Sequence, residues 1–170
     1  IAHVEAGLRS NLFFQPEEIN RKITDQISKL LFCQTKNALI NLKNEGIDKN
    51  VHFVGDIMFD LAQRTKKICP NFAYIKKKYK IDFLEYQIAT IHRAENTKDK
   101  NSLKEIFDYI EKKSQLIPTI FPIHPRTKLQ LEKYNIKYKN IKIIDPLSYL
   151  EMMTLLINSK LIFTDSGGLQ

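Results

Sequence analysis

From Pro16 onward, short apolar runs alternate with segments of helical periodicity, which constrains the chain to an α/β fold of parallel strands joined by crossover helices. Pro16 at a first helical turn, Glu17 and Glu18 behind it, and Ile19, Ile23, Ile27 and Leu30 at spacings of four and three predict one amphipathic helix. Leu31 to Gln34 then reads as a buried strand and Asn37 to Glu45 as a helix stopped by Gly46. Val51 to Val54 reads as the next strand, Gly55-Asp56 as a strand-to-helix turn, and Ile57 to Lys67 as a further helix.

Residues 68–82, with Pro70 and the Lys76-Lys77-Lys78 cluster, interrupt this rhythm and are expected to form a hinge to a second unit. The rhythm then resumes. Strands are predicted at Tyr86 to Ile91, Thr119 to Ile123, Ile141 to Ile144 and Leu161 to Thr164. Helices are predicted from Ser102 behind a Ser102-x-x-Glu105 capping box, at Thr127 to Tyr134, and at Tyr149 to Ile157 behind a Ser148-x-x-Glu151 box. The expected organisation is residues 1–67 as the later part of one domain, 68–82 as the connection, and 83–170 as the earlier part of another, the interior of a longer protein.

A hydrophobic content of 43% is ample for a buried core, and no apolar run approaches the roughly 20 residues that span a bilayer. A cytoplasmic protein without membrane association is the expectation. The two cysteines lack metal-type spacing, and Cys33 in Leu30-Leu31-Phe32-Cys33 reads as a buried thiol. The net charge of +8 is spread over scattered lysines with no arginine stripe or stacking aromatics, so a solvated surface is the better reading than a nucleic-acid partner. Of 27 basic residues, five are arginine (Arg9, Arg21, Arg64, Arg93 and Arg126), and four of these lie in segments carrying candidate chemistry. Lysine would supply charge equally well, so arginine there points to its planar fork.

Parallel α/β sheets bind ligands at the carboxyl ends of their strands. Glu5 in HVEAGLRS follows the first strand, His92-Arg93 and His124-Pro125-Arg126 follow two others, and Ser166-Gly167-Gly168 follows the last. A lone histidine at such a position is more often structural. One of Glu17 and Glu18 is fully explained by the helix dipole, leaving the second to reach outward. Ser166-Gly167-Gly168 reads either as a plain turn or as a row of amides exposed to phosphate. Two carboxylates in different settings suit acid-base chemistry, and with a phosphate cradle they suggest a nucleotide-linked substrate.

HVEAGLRS, PEEINR, VHFVGDIMFD, HRAEN, IDPLSYLEMM and TDSGGLQ, in that order, resemble the non-hydrolysing UDP-N-acetylglucosamine 2-epimerase family. The resemblance implies two Rossmann-like domains in a GT-B-type arrangement, both only partly present, that close over UDP-N-acetylglucosamine and interconvert it with UDP-N-acetylmannosamine. It implies Glu5 and Glu17 as catalytic carboxylates and His92 as a group that helps hold the nucleotide and supports the chemistry. Ser166, Gly167 and Gly168 match the diphosphate-binding turn, and Leu147 and Met152 match positions near the uracil. The implied reaction passes through a 2-acetamidoglucal and needs no cofactor and no metal; a homodimer supplying a surface polysaccharide is a family-level expectation. The alternatives are a 2-epimerase of a UDP-diacetamido uronic acid and a GT-B-type glycosyltransferase using a UDP-sugar.

Overall fold

The computed structural model describes residues 1–10 and 15–169; Asn11 to Phe14, and Gln170 at the end of TDSGGLQ, lie outside the described residues. The chain divides into two compact units, Ile1–Leu61 and Ala62–Gln170. Each carries a wholly parallel sheet with crossover helices, as the alternating pattern requires.

In the first unit β1 (Ala2–Val4), β2 (Leu30–Cys33) and β3 (Val51–Phe53) pair in sequence order. The crossovers are α1 (Pro16–Ile27) and α2 (Lys36–Asn44), and α3 (Ile57–Thr65) follows β3. Leu31 and Cys33, alternate residues of β2, share one face of the sheet and pack with Ala6, Ala38 and Leu42. Cys33 is a buried free thiol, its pKa pushed up by that burial and by the charge of Asp25.

Helix α1 starts on Pro16 with Glu17 and Glu18 in its first turn, but it ends at Ile27, and Leu30 opens β2 instead of extending the helical stripe. Its inward face also differs from the expected one. Ile19, Ile23 and Ile27 are 49%, 54% and 60% exposed, whereas Glu18 and Asp25 are buried. The reason lies in the groups that meet the helix: the loop after β1 offers N–H, hydroxyl and guanidinium donors, and a buried carboxylate needs several of these.

The second unit orders its strands β6-β5-β4-β7, with β4 (Gln87–Thr90), β5 (Thr119–Pro122), β6 (Ile141–Ile144) and β7 (Leu161–Thr164). The chain steps outward from β4 to β6 and then returns to lay β7 on the other side of β4. Successive strand residues feed opposite layers. Ala89 and Phe121 join Leu103, Phe107 and Ile110 of α6 (Lys100–Ser114) and Leu131 of α7 (Pro125–Tyr134). Ile88 and Ile120 join Ile75 of α4 (Phe72–Lys78) and Leu155 of α8 (Tyr149–Asn158). Thus the stretch expected as the hinge contains a core-covering helix, capped by Asn71 through the Ala73 N–H. A short helix α5 (Ala94–Thr97) follows β4.

Helix α6 begins two residues before Ser102 because Asp99 takes the capping role, accepting the Ser102 N–H at 2.7 Å. The Ser148–Glu151 box forms as expected, with both arms in place. Glu151 also accepts from Lys78 at 2.6 Å, tying α8 to α4. That bond is the main reason the Glu151 carboxyl is drawn down to about 2 and the Lys78 ammonium pushed up to about 12. A depressed carboxyl contributes stability that is complete above its unfolded value near ~4.3 and is lost as pH falls through the folded value. The urea midpoint of Glu151→Gln should therefore lie below that of the parent protein near neutrality, and the gap should close as pH falls from about 4.3 toward 2.

Candidate active site

Glu5 stands immediately after β1, where the chain leaves the sheet at its carboxyl edge. Its backbone adopts φ 67°, a left-handed conformation that ordinary residues occupy at a cost of about 1–3 kcal/mol and that surrounding structure must enforce. Two residues on, Gly7 has φ 75°, and a Cβ there would sit 2.4 Å from the Ala38 carbonyl oxygen, so the loop lies flush on α2 and only glycine fits. Gly7 is held from both sides: its N–H donates to Asp25 at 3.2 Å, and its carbonyl accepts from the Asn41 amide at 2.9 Å.

Asp25 is the hub of this loop. Its carboxylate also faces His3 Nδ1 at 2.6 Å and accepts from Arg9 Nη2 at 2.8 Å. The expected arginine fork is present at Arg9, but it is used within the protein: Nε and Nη2 grip both oxygens of Glu45 at 2.8 and 2.5 Å. This pairing, above all with Glu45, pushes the guanidinium pKa up against the opposing effect of burial, and Arg9 in turn draws Glu45 down.

The two glutamates that open α1 separate cleanly. Glu18 is 2% exposed and accepts from the Ser10 N–H at 3.0 Å and its hydroxyl at 2.9 Å. Burial raises its pKa, but the Ser10 bonds and the Arg9 charge outweigh that and leave it below the usual range. Glu17 is exposed. Beside Glu5 opens a cavity of about 260 Å³, lined also by Phe32, Gln34, Val54, Ile57 and Asp60 from the carboxyl ends of β2 and β3 and the start of α3. It is an apolar recess with acids at its wall.

In the second unit the strand order reverses between β4 and β7, which places a topological switch point at their carboxyl ends. His92 and Arg93 follow β4 there, and Asp165, Ser166, Gly167 and Gly168 follow β7. Thr90 and Thr164 are paired across the strands, and their hydroxyl oxygens lie 2.8 Å apart. The Ser166 N–H donates to Thr164 Oγ1 at 3.0 Å, so one amide of the Ser-Gly-Gly turn already has an internal partner. Gly167 has open space where a side chain would be, and Gly168 meets nothing closer than Ser166 Oγ at 3.9 Å. Neither residue has a positive φ. Among the described residues, neither the turn nor packing requires glycine there, and the approach to the backbone is clear.

Leu147 packs against the Ile88 layer, and Met152 lies in the first turns of α8, half-buried. His124 turns out to cap α7, accepting the Arg126 N–H through Nδ1 at 3.2 Å, and His3 belongs to the Asp25 hub. Among the described residues no helix is long and apolar enough to cross a membrane, and no group of three or more His, Cys, Asp or Glu side chains gathers in a metal-binding arrangement. Sequence reading missed Asp25 and Asp165. For Asp25 a signal existed: it stands seven residues after Glu18, two helical turns on and on the same face.

The chain matches the family model described as UDP-N-acetylglucosamine 2-epimerase over residues 1–170. It is 48% identical over 178 residues to a UDP-N-acetylglucosamine 2-epimerase homolog of Methanococcus maripaludis, an overlap of 100% of this chain and 49% of the relative. It is 43% identical to the UDP-2,3-diacetamido-2,3-dideoxy-D-glucuronate 2-epimerase of Pseudomonas aeruginosa, covering 100% of this chain and 48% of that one. The Methanocaldococcus jannaschii UDP-GlcNAc 2-epimerase in complex with UDP-GlcNAc and UDP superposes with TM-score 0.86 at 41% identity, over 99% of this chain and 49% of that chain. The chain spans about half the length of the curated relatives it matches.

Replacing Asp25 with alanine leaves the nearly buried Arg9 guanidinium short of a partner, and the expected loss is about 3 kcal/mol in chemical denaturation. Gly7→Ala should cost at least ~2 kcal/mol, because a left-handed backbone and a backbone clash act together.

Proposed function

This chain belongs to the UDP-N-acetylglucosamine 2-epimerase family, and from that premise we propose that the whole protein interconverts UDP-N-acetylglucosamine and UDP-N-acetylmannosamine. The observation that carries the reading is the family match over the entire chain, with the acid and glycine motifs in order at the carboxyl ends of parallel strands. The first unit supplies Glu5 and Glu17, and the second supplies His92, Leu147, Met152, Ser166, Gly167 and Gly168 for the UDP moiety. Residues 1–67 serve as the later part of one Rossmann-like domain and 83–170 as the earlier part of a second, GT-B-type partner, and the 68–82 connection adds α4 to the core of the second.

A carboxylate takes the proton from the carbon bearing the acetamido group, that electron pair forms the C1–C2 double bond, and the C1–O bond breaks with its pair leaving on UDP. UDP oxygen then returns to C1 while a carboxylic acid protonates C2 from the opposite face. The two acids of such a sequence must be accessible to substrate, which favours Glu17 over the buried Glu18. Positive or N–H groups at the leaving diphosphate lower the barrier, and the open backbone at Gly167 and Gly168 suits that task. The protein is proposed to act as a cytoplasmic homodimer feeding polysaccharide synthesis, without a cofactor.

A second reading has a specific observation behind it. The Pseudomonas relative is as similar as UDP-N-acetylglucosamine epimerases are, so a UDP-diacetamido uronic acid is the competing substrate. Proton NMR of the full-length protein in heavy water decides between them. UDP-N-acetylglucosamine should lose its C2 hydrogen signal while a second set of UDP-sugar signals grows, and Glu5→Gln and Glu17→Gln should each slow this by about 10²–10⁴-fold. Exchange with the diacetamido uronic acid alone would transfer the assignment to that substrate, and binding of UDP with no exchange in either would remove epimerisation.

A further inference from the structure

Asp165 is a carboxylate that the proposed chemistry does not use, although its side chain is 8% exposed at the switch point between β4 and β7. Among the described residues, its donors come from the segment after β4. Oδ2 accepts from the His92 N–H at 3.0 Å, from the Arg93 N–H at 2.9 Å and from the Asn96 side-chain amide at 3.0 Å. Oδ1 lies 3.2 Å from His92 Nδ1. The strands beneath are locked in register, Thr90 against Thr164. The carboxylate therefore fixes both where the His92 backbone goes and which edge of its ring faces inward.

From this geometry we propose that Asp165 is the positioning residue of His92: it keeps the proton on Nδ1 and turns Nε2 outward as the atom that meets the UDP moiety. An ionised carboxylate can only accept, so an Nδ1 lone pair facing it would be repelled, whereas an Nδ1 proton is attracted. The His92 side chain is 42% exposed, so the ring is not sealed off from a ligand. Burial raises the Asp165 pKa, but the Asn96, Arg93 and His92 donors outweigh it and hold the group below the usual range. Asp165 thus remains the negative partner throughout the neutral range. The ligand half of this assignment rests on the UDP-sugar reading above; the tautomer half does not.

The test uses the full-length protein with nitrogen-15 histidine, observed by long-range proton–nitrogen NMR near pH 8, where an ordinary imidazole is neutral, with His92 assigned by its loss in His92→Gln. A proton on Nδ1 is expected, and a bare Nδ1 in the parent protein overturns the proposal without any variant being needed. Asp165→Asn, whose amide can point an N–H at the ring, should move the proton to Nε2 and lower kcat on the order of 10-fold to 100-fold, with a smaller change in UDP affinity. Adding Asp165→Asn to His92→Gln should lower the rate no further, because the carboxylate acts through the ring. An additive loss, or an unchanged tautomer in Asp165→Asn, sinks the positioning role. If the protein epimerises no UDP-sugar, the tautomer still reads the contact, so the two failures are distinguishable.

Discussion

A carboxylate held out of water needs several donors at once, and this requirement organises both units. In the first, Asp25 gathers His3, the Gly7 N–H and Arg9; in the second, Asp165 gathers the N–H groups of His92 and Arg93 with the Asn96 amide. In each case the backbone N–H donors belong to a loop leaving the carboxyl edge of a parallel sheet, while His3 lies in β1 and Asn96 in α5. Such loops have backbone N–H groups that no ladder satisfies, and an acceptor-only side chain from a neighbouring element completes them. The loops that carry Glu5 and His92 are thereby fixed by acids whose side chains are held inside the fold.

Seven acids of the chain show two different settings. Asp25, Glu18, Glu45, Glu151 and Asp165 each accept two or more hydrogen bonds within the fold. Glu5 lies at the wall of a cavity and Glu17 on an exposed helical turn. Acid-base catalysis requires groups whose proton can be exchanged with a substrate, and burial with fixed donors removes that freedom. The same logic explains Arg9: its fork serves a carboxylate partner inside the unit, so the preference for arginine over lysine at that position is geometric without being a mark of ligand binding.

Much of the fold was legible. Alternation of apolar runs with helical stripes identifies parallel α/β units, and Pro16, Gly46 and the Ser148–Glu151 box mark helix ends where they occur. The errors share one cause, competition between local signals. Asp99 displaces Ser102 as a cap because its carboxylate reaches the same N–H, and Ile19, Ile23 and Ile27 lose the inward face of α1 to Glu18 and Asp25 because donors await the acids there. A helical stripe reports that a face is apolar; it does not say that this face meets its own sheet.

The sequence by itself determined the class of fold, the strand-end positions of Glu5, His92 and Ser166-Gly167-Gly168, and the resemblance carried by six ordered motifs, because these depend on residue type and spacing along the chain. Tertiary structure decided which acids are held and which are exposed, that Gly7 is required by contact while Gly167 is not, and that Asp165 and His92 are partners although 73 residues separate them. Such decisions depend on which strands become neighbours. The return of β7 to the side of β4 is set by the packing of two helical layers on one sheet, and no local run of residues encodes it.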